Sequence, residues 1–475
     1  MAQIIRNRTS PHYCQGDPII YNSIKLEAEK AYFIYLGDIK NYRLNAFLIP
    51  YLERIYGRPV GCIALVPDVL AYYGYPNLAV LNKESYRYHA GKGMLVNCRP
   101  TAGHFAQQVS ASLFAQELLE GILREQDFVY IHMFESRPEM TLADGEKIRL
   151  LGPDSTLAHG FNNKINQFKM ACDLSIPVPE GFSCSCLEEA LEVAERFFRS
   201  GEEAFISEPY SAAGSNSAFV CNGEEILKSF SLAEQPYLVT RRIRHTHDPT
   251  VLAVVANGDD VYVASVADQI MEQNRFRGSI FPTALEKDVV EQIKEYTRMV
   301  GRYMGAKGYR GMFGCDFLVD EDGKPYFIEV NARKQGTTLE TALTMLCRHP
   351  GHPSLLEIEF SAITQGRLPD GITEMDSTES DLCWGTYNVK SEQDIEVVRD
   401  LPKFQSEPDI FRLVYLDKSL EATAIVEDHL GLGVYQRTGG FAGRCVSVGK
   451  TMSSMFPLLG KKELEVKSSI RPWIH

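Results

Sequence analysis

Residues 314–331 read Gly-Cys-Asp-Phe-Leu-Val-Asp-Glu-Asp-Gly-Lys-Pro-Tyr-Phe-Ile-Glu-Val-Asn. Two strand-like runs flank Asp322-Gly323, a dipeptide that favours a two-residue type I′ hairpin turn. Such a turn sets the register: Asp316 falls opposite Glu329 and Leu318 opposite Phe327, with Asn331 on the same face. The other face carries Cys315, Phe317, Val319, Tyr326, Ile328 and Val330, uncharged side chains suited to packing on a core.

Two carboxylates directly opposed on neighbouring strands repel, and burial raises the cost unless a cation lies between them. Asp, Glu and the Asn carbonyl are hard oxygen donors. Mg²⁺ typically takes one or two carboxylates and completes its shell with water and nucleotide phosphates. Asp316, Glu329 and Asn331 are therefore candidate ligands for Mg²⁺, or for Mn²⁺ in its place, beside ATP. An isolated acidic hairpin would be a solvated surface feature. Here Arg333 follows on the same parity and a Gly/Ser-rich segment lies upstream.

Gly311-Met-Phe-Gly-Cys-Asp316 followed by Phe327-Ile-Glu-Val-Asn-Ala-Arg333 resembles the core signature of the ATP-grasp superfamily, and the similarity runs from about Asn162 to Pro369. The resemblance implies two α+β subdomains clasping ATP, with Mg²⁺ held by Asp316, Glu329 and Asn331. It implies that Arg333 stabilises charge on the transferring phosphoryl group or the acceptor carboxylate. Lys164 matches the lysine that opens the family's ATP-binding subdomain. Phe205–Asn222 looks like the glycine-rich loop, with Gly214, Ser215, Asn216 and Ser217 closing over the phosphates, where small residues let backbone N–H groups approach.

The strand Tyr237–Thr240, including Val239, takes the place of the hinge that reads the adenine edge. Asp248 takes the place of the ribose-binding acid, although an Asp before Pro249 is equally a turn former. Gln269, Arg275 and Gly278 fall where such ligases put substrate-facing residues. One departure stands out: Glu208 occupies the position of a lysine before proline. Lys164 must then supply more of the positive charge, with Lys169, Arg241 or Arg242.

Outward from this segment, 475 residues exceed one ordinary hydrophobic core, so two or three domains are expected. Apolar runs at 31–36 and 60–66, a helical stretch around Asn45–Ile55, a helix over 105–124 and a strand at 128–132 describe an α/β unit. A pattern change follows near residue 156. Val289, Val290, Ile293, Tyr296, Val300 and Met304 recur at helical spacing, with Gly305 as a candidate stop. Asp370–Ser380 is polar and reads as a linker. The division is 1–155, a pre-ATP-grasp α/β domain; 156–370, the ATP-grasp domain; and 371–475, a small C-terminal domain. The fold class is α/β and α+β, multidomain.

A formal charge of −13 disfavours a nucleic-acid surface. No stretch approaches the roughly 18 apolar residues of a membrane span, and the start carries no signal-like apolar region. A cytoplasmic protein without nucleic-acid or membrane partners is expected. Eleven cysteines without a CxxC pair argue against a disulfide framework. Gly449-Lys450-Thr451 is not a P-loop, because Arg444 stands where the motif needs glycine.

The activity implied by the resemblance is ATP-dependent carboxylate–amine ligation through an acyl phosphate, with ADP and phosphate released. Its substrates would be a small carboxylate and an amine, amino acid or peptide. The whole arrangement resembles peptide ligases of bacterial natural-product pathways of the pheganomycin type. Two alternatives carry their own tests: a ligase loading an amino acid onto the thiol of an acyl carrier protein, and an ATP-binding protein without turnover. The oligomeric state, homo-oligomer included, is open.

Overall fold

The computed structural model describes residues 17–210, 216–230, 234–272, 275–401 and 405–474, with the backbone of Gln3–Ile4. The chain divides into two compact units. One comprises residues 1–155, 339–365 and 381–475; the other comprises residues 156–338 and 366–380.

The first unit is built on a sheet in the order Ile19–Asn22, Leu78–Leu81, Val60–Val66, Ala31–Leu36, Val129–Met133, Ile148–Leu151. All its pairings are parallel except that of Ile19–Asn22 with Leu78–Leu81. Ala31–Leu36 is buried along its whole length, as a central parallel strand covered on both faces requires. The helix expected over 105–124 is two helices, Ala102–Ser110 and Leu113–Leu123. Ser112 breaks the run by capping the second, its hydroxyl accepting from Ala115 N.

Residues 381–475 belong to this unit, where the sequence suggested a separate small domain. Val434–Gln436 pairs parallel with Leu95–Asn97. Arg43 and Glu427, both buried, join in an ion pair of 2.6 Å. Buried groups in each segment are thus completed by the other.

The second unit carries the antiparallel ladder Pro325–Asn331, Gly311–Val319, Pro249–Val255, Val261–Glu272, Arg275–Phe281. The helix Lys287–Ala306 lies on it, burying Val290, Ile293, Val300 and Met304 with Val251, Phe313, Cys315 and Phe317. Gly305 is inside this helix rather than after it. A Cβ there would collide with the backbone at Asn257 and Gly258, so glycine is required by close approach. A smaller antiparallel sheet follows the order Gly181–Cys184, Tyr237–Arg241, Ala204–Ser207, Ser217–Val220. Helix Leu187–Arg199 covers it.

Residues 370–380 are no free linker. Ser377 is fully buried; its carbonyl oxygen accepts from Thr283 N at 2.9 Å and its hydroxyl oxygen from Val266 N at 3.0 Å. Glu374 meets Arg298 at 2.7 Å.

Candidate functional site

The hairpin departs from the turn its sequence suggested. Gly314, Cys315 and Asp316 pair with Asn331, Val330 and Glu329, but Phe317, Leu318 and Val319 pair with Phe327, Tyr326 and Pro325. The loop has three residues, Glu321-Asp322-Gly323. Gly323 N donates to Asp320 O at 3.1 Å, and only Gly323 has positive φ, at 79°. Asp320 Oδ1 holds this loop by accepting from Asp322 N and Lys324 N. A type I′ turn would also need positive φ at Asp322.

Ile328 bulges out and absorbs the one-residue slip. Asp316 therefore faces Glu329 as expected, whereas Leu318 does not face Phe327. Phe327 turns into the core and meets the ring of Phe317 edge-on at 5.8 Å, while Tyr326 and Ile328 are half-buried.

Asp316, Glu329 and Asn331 come together on one face. Thr250 Oγ1 donates to Asp316 Oδ1 at 2.6 Å. Asn331 Nδ2 donates to Asp316 Oδ2 at 2.9 Å and reaches Glu329 Oε1 at 3.5 Å. Lys164 Nζ donates to Glu329 Oε2. Arg333 Nη2 donates to Asn331 Oδ1 at 2.8 Å.

Lys164 is placed by the start of helix Lys164–Asp173, which Asn163 caps by accepting from Ile165 N and Asn166 N. Gln167 on the same helix donates to Val330 O at 2.7 Å and accepts from Val330 N at 3.1 Å. That double bond clamps the helix to the strand bearing Glu329. Gln167, Thr250 and Gln335 were missed in the sequence, since none carries charge or belongs to the quoted motifs. Gln335 Nε2 donates to Thr250 Oγ1 at 2.9 Å and lies 3.4 Å from Asp316 Oδ1.

Burial, then the neighbouring Glu329 carboxylate, pushes Asp316 up to about 7. Burial also opposes ionisation of Glu329, but Lys164 and Arg333 outweigh it and hold that carboxyl below its ordinary value. One carboxyl of the facing pair thus keeps a proton near neutral pH. A cation between them would release it.

The residues fit a divalent ion. The donors are hard oxygens, Glu329 and Asp316 lack enough charge compensation to ionise together, and Gln335 Oε1 is buried without a hydrogen-bond partner among the described residues. The amide of Asn331 directs its nitrogen toward Asp316, so coordination through Oδ1 requires the amide to turn over. Among the described residues no cluster of three or more His, Cys, Asp or Glu side chains is suited to a metal. The candidate centre is accordingly two carboxylates and an amide.

Other expected residues are dispersed. Gly214 and Ser215 lie outside the described residues. Asn216, at φ 52°, closes the end of the hairpin by accepting from Glu208 N at 3.0 Å, and Ser217 pairs with Ser207. Val239 is buried in a central strand with ladders to Phe182 and Ile206, so its backbone belongs to the sheet and not to a free hinge. Asp248 Oδ1 lies 3.1 Å from His245 Nε2, which it raises above the usual histidine value.

Gln269 N donates to Asp248 O, and Gln269 stands two residues from Ala267, the partner of Thr250, hence on the Asp316 face. Gly278 pairs with Ile270 on the opposite face, and Arg275 begins its strand exposed. Arg241 and Arg242 pair with Glu202 and Glu203, and Lys169 is exposed. None of these three cations supplements Lys164 at the carboxylate pair.

Residues 161–337 match the family described as ATP-grasp domain. The chain is 24% identical over 276 residues to the carbamoyl phosphate synthase large chain, C-terminal section, of Aquifex aeolicus, covering 54% of this chain and 49% of that protein. It is 22% identical over 191 residues to the [butirosin acyl-carrier protein]–L-glutamate ligase of Niallia circulans, covering 39% and 46%. The chain thus spans less than half the length of these two relatives.

Among solved structures, carboxyaminoimidazole ribonucleotide synthase of Aspergillus clavatus complexed with ATP superposes with a TM-score of 0.57 at 14% identity, covering 94% of this chain and 100% of that one. The biotin carboxylase domain of Hydrogenobacter thermophilus 2-oxoglutarate carboxylase gives 0.60 at 13% identity, covering 88% and 85%. These likenesses establish the fold. Among the described residues no helix is long and apolar enough to cross a membrane, and the described cysteines are free thiols.

Proposed function

We propose that this chain, whose residues 161–337 match the ATP-grasp domain family, is an ATP-dependent ligase activating a carboxylate as an acyl phosphate and passing the acyl group to an amine. The observation that carries this reading is Asp316 opposite Glu329, with Asn331, Lys164 and Arg333 at hydrogen-bond distance around them. Asp316, Glu329 and Asn331 would hold Mg²⁺, which when bound neutralises charge on the transferring phosphate.

The chain's own residues do the rest. Lys164, fixed by the Gln167 clamp, balances phosphate charge beside Glu329. Arg333, anchored through Asn331 and the Lys334 carbonyl, offers a planar fork to the phosphoryl group or the acid being activated. Thr250 and Gln335 hold Asp316 in position. The glycine-rich loop with Gly214 and Ser215 would close over the nucleotide and exclude water that would hydrolyse the acyl phosphate. Gln269, on the face of the carboxylate pair, is the substrate contact the geometry favours.

An amino acid or peptide acceptor, and a place in natural-product biosynthesis, are further parts of this proposal. Transfer to a carrier-protein thiol is supported by one observation, the similarity to a ligase named for a butirosin acyl-carrier protein and L-glutamate. The test is ADP release with ATP, Mg²⁺ and a panel of amino acids and short peptides, with hydroxylamine trapping of the activated acid. Trapping and an amine-dependent product support the amide ligase; carrier-dependent product supports the thioester. Tight nucleotide binding without ADP release in any pool rejects the enzyme.

A further inference from the structure

The six-stranded sheet of the first unit ends at Ile148–Leu151, a strand with a neighbour on one side only among the described residues. Its register fixes where each backbone group points. Lys147 O accepts from Val129 N at 2.7 Å, so in this parallel ladder Arg149 and Leu151 turn their N–H and C=O groups toward Val129–Met133, while Ile148 and Leu150 turn theirs outward. The loop before the strand satisfies Ile148: its N–H donates to Asp144 Oδ1 at 2.9 Å and its carbonyl accepts from Gly145 N at 3.1 Å. Leu150 has no such partner for either group among the described residues. One donor and one acceptor of a sheet edge stay open, a template for pairing with another chain.

Beside this edge runs an open groove of about 580 Å³, within the range of clefts that take small organic ligands. Leu150, Gly152 and Pro153 line it from the edge, and Met140 and Ala143 from the loop before it. Ser136 Oγ, buried and without a hydrogen-bond partner among the described residues, lies 2.5 Å from where a Cβ on Gly152 would stand.

Two arginines also line the groove, and their surroundings differ. Arg137 is neutralised by Glu135 at 3.0 Å and Glu139 at 3.2 Å. Arg149 has no carboxylate within ion-pair distance among the described residues. Its Nε donates to Glu146 O at 2.8 Å, and its guanidinium lies 4.1 Å from the centre of the Phe128 ring. These contacts orient the fork and leave both Nη groups without a protein partner among the described residues. Arg149 and Leu150 are consecutive, their Cα atoms about 3.8 Å apart, so the uncompensated charge and the open backbone pair belong to one site.

An inorganic anion would engage the guanidinium alone. A peptide complements both features: its backbone N–H and C=O pair with Leu150 as an added strand does, and its terminal carboxylate accepts from the guanidinium fork. We propose that this groove binds a short extended peptide, its backbone hydrogen-bonded to the edge at Leu150 and its C-terminal carboxylate on Arg149. The inference stands apart from the ligase reading, because none of these residues belongs to the 161–337 segment.

Calorimetry on the full chain without nucleotide tests this, using L-alanyl-L-leucyl-L-alanine, its C-terminal amide, and the same tripeptide N-methylated at each peptide nitrogen in turn. The free acid binds. Amidation, Arg149→Gln, and methylation of at least one nitrogen each weaken it by about ten- to a hundredfold. Leu150→Pro removes the outward N–H at an edge position, where proline is tolerated, and weakens binding likewise. Circular dichroism checks each variant; if one unfolds, the modified peptides decide on the unaltered chain. Absence of peptide binding, equal affinity for acid and amide, or indifference to every methylation overturns the proposal. Acetate or L-leucine binding as tightly as the tripeptide would mean a simple carboxylate site. A dimer abolished by Leu150→Pro, with no peptide binding, would mean a second copy of the chain at this edge; either result also overturns it.

Discussion

Asp316 and Glu329 face each other across a hairpin whose loop is one residue longer than its Asp-Gly turn suggested, because Ile328 bulges from the ladder between Glu329 and Phe327. With this three-residue loop and no bulge, Glu329, Val330 and Asn331 would change faces while Pro325–Phe327 kept theirs. The carboxylates would then be split between core and site. The bulge leaves Phe327 buried against Phe317 and Glu329 beside Lys164.

Glu329→Ala and Asn331→Ala retain the fold, since both side chains are half-buried on the open face, but each lowers Mg-dependent ATP turnover by more than about a hundredfold, beyond the loss typical of an outer-shell residue. Steady-state ADP release measures it. Full activity in either folded variant removes the assignment.

Asp316 is raised from an ordinary 3.8 to about 7. Between those values the native state holds a proton that the unfolded chain has released, so through this group the metal-free protein loses stability as pH rises toward 7. Glu329 acts oppositely: its lowered value contributes stability above its ordinary range, lost as pH falls below it. Mg²⁺ competes with the Asp316 proton, so its affinity rises by up to about tenfold per pH unit below 7 and levels off above. Mg²⁺ titrations of the unfolding temperature at pH 6, 7 and 8 check the slope, and equal affinity throughout would contradict it.

Gly314→Ala places a methyl group on the side-chain amide of Gln335. Displacing that amide strips Thr250 and Asp316 of a donor. The variant loses about 1–3 kcal/mol and binds Mg²⁺ more weakly, read from urea unfolding with and without the ion. Unchanged Mg²⁺ affinity would show that Gln335 does not position Asp316.

Arg444→Leu leaves Glu340 and Glu407, both fully buried, without their shared guanidinium. Removing one partner of a buried ion pair costs about 3–5 kcal/mol, measured by urea unfolding of the full chain. The double replacement of Glu340 and Glu407 by Gln in the Arg444→Leu background recovers part of that loss, because neutral amides need no counter-charge.

Much of the metal-site hypothesis was legible because its residues sit within one short hairpin, where strand parity alone assigns faces. Lys164 was legible only through family resemblance, being 165 positions from Glu329. Arg241 and Arg242 read as spare cations until Glu202 and Glu203 were seen beside them. Val239 read as a hinge because an apolar run does not reveal whether its strand lies at an edge or, as here, at the centre.

The amino-acid order by itself determined the alternation that buries Cys315 and Phe317, the opposed Asp316 and Glu329, and the acidic, uncharged-core character of the ribbon, since these depend on neighbours a few residues apart. Tertiary structure alone decided the Ile328 bulge, the Gln167 clamp and the Thr250–Gln335 support. Each joins groups far apart along the chain or balances competing local turns, and only packing chooses which of them become neighbours.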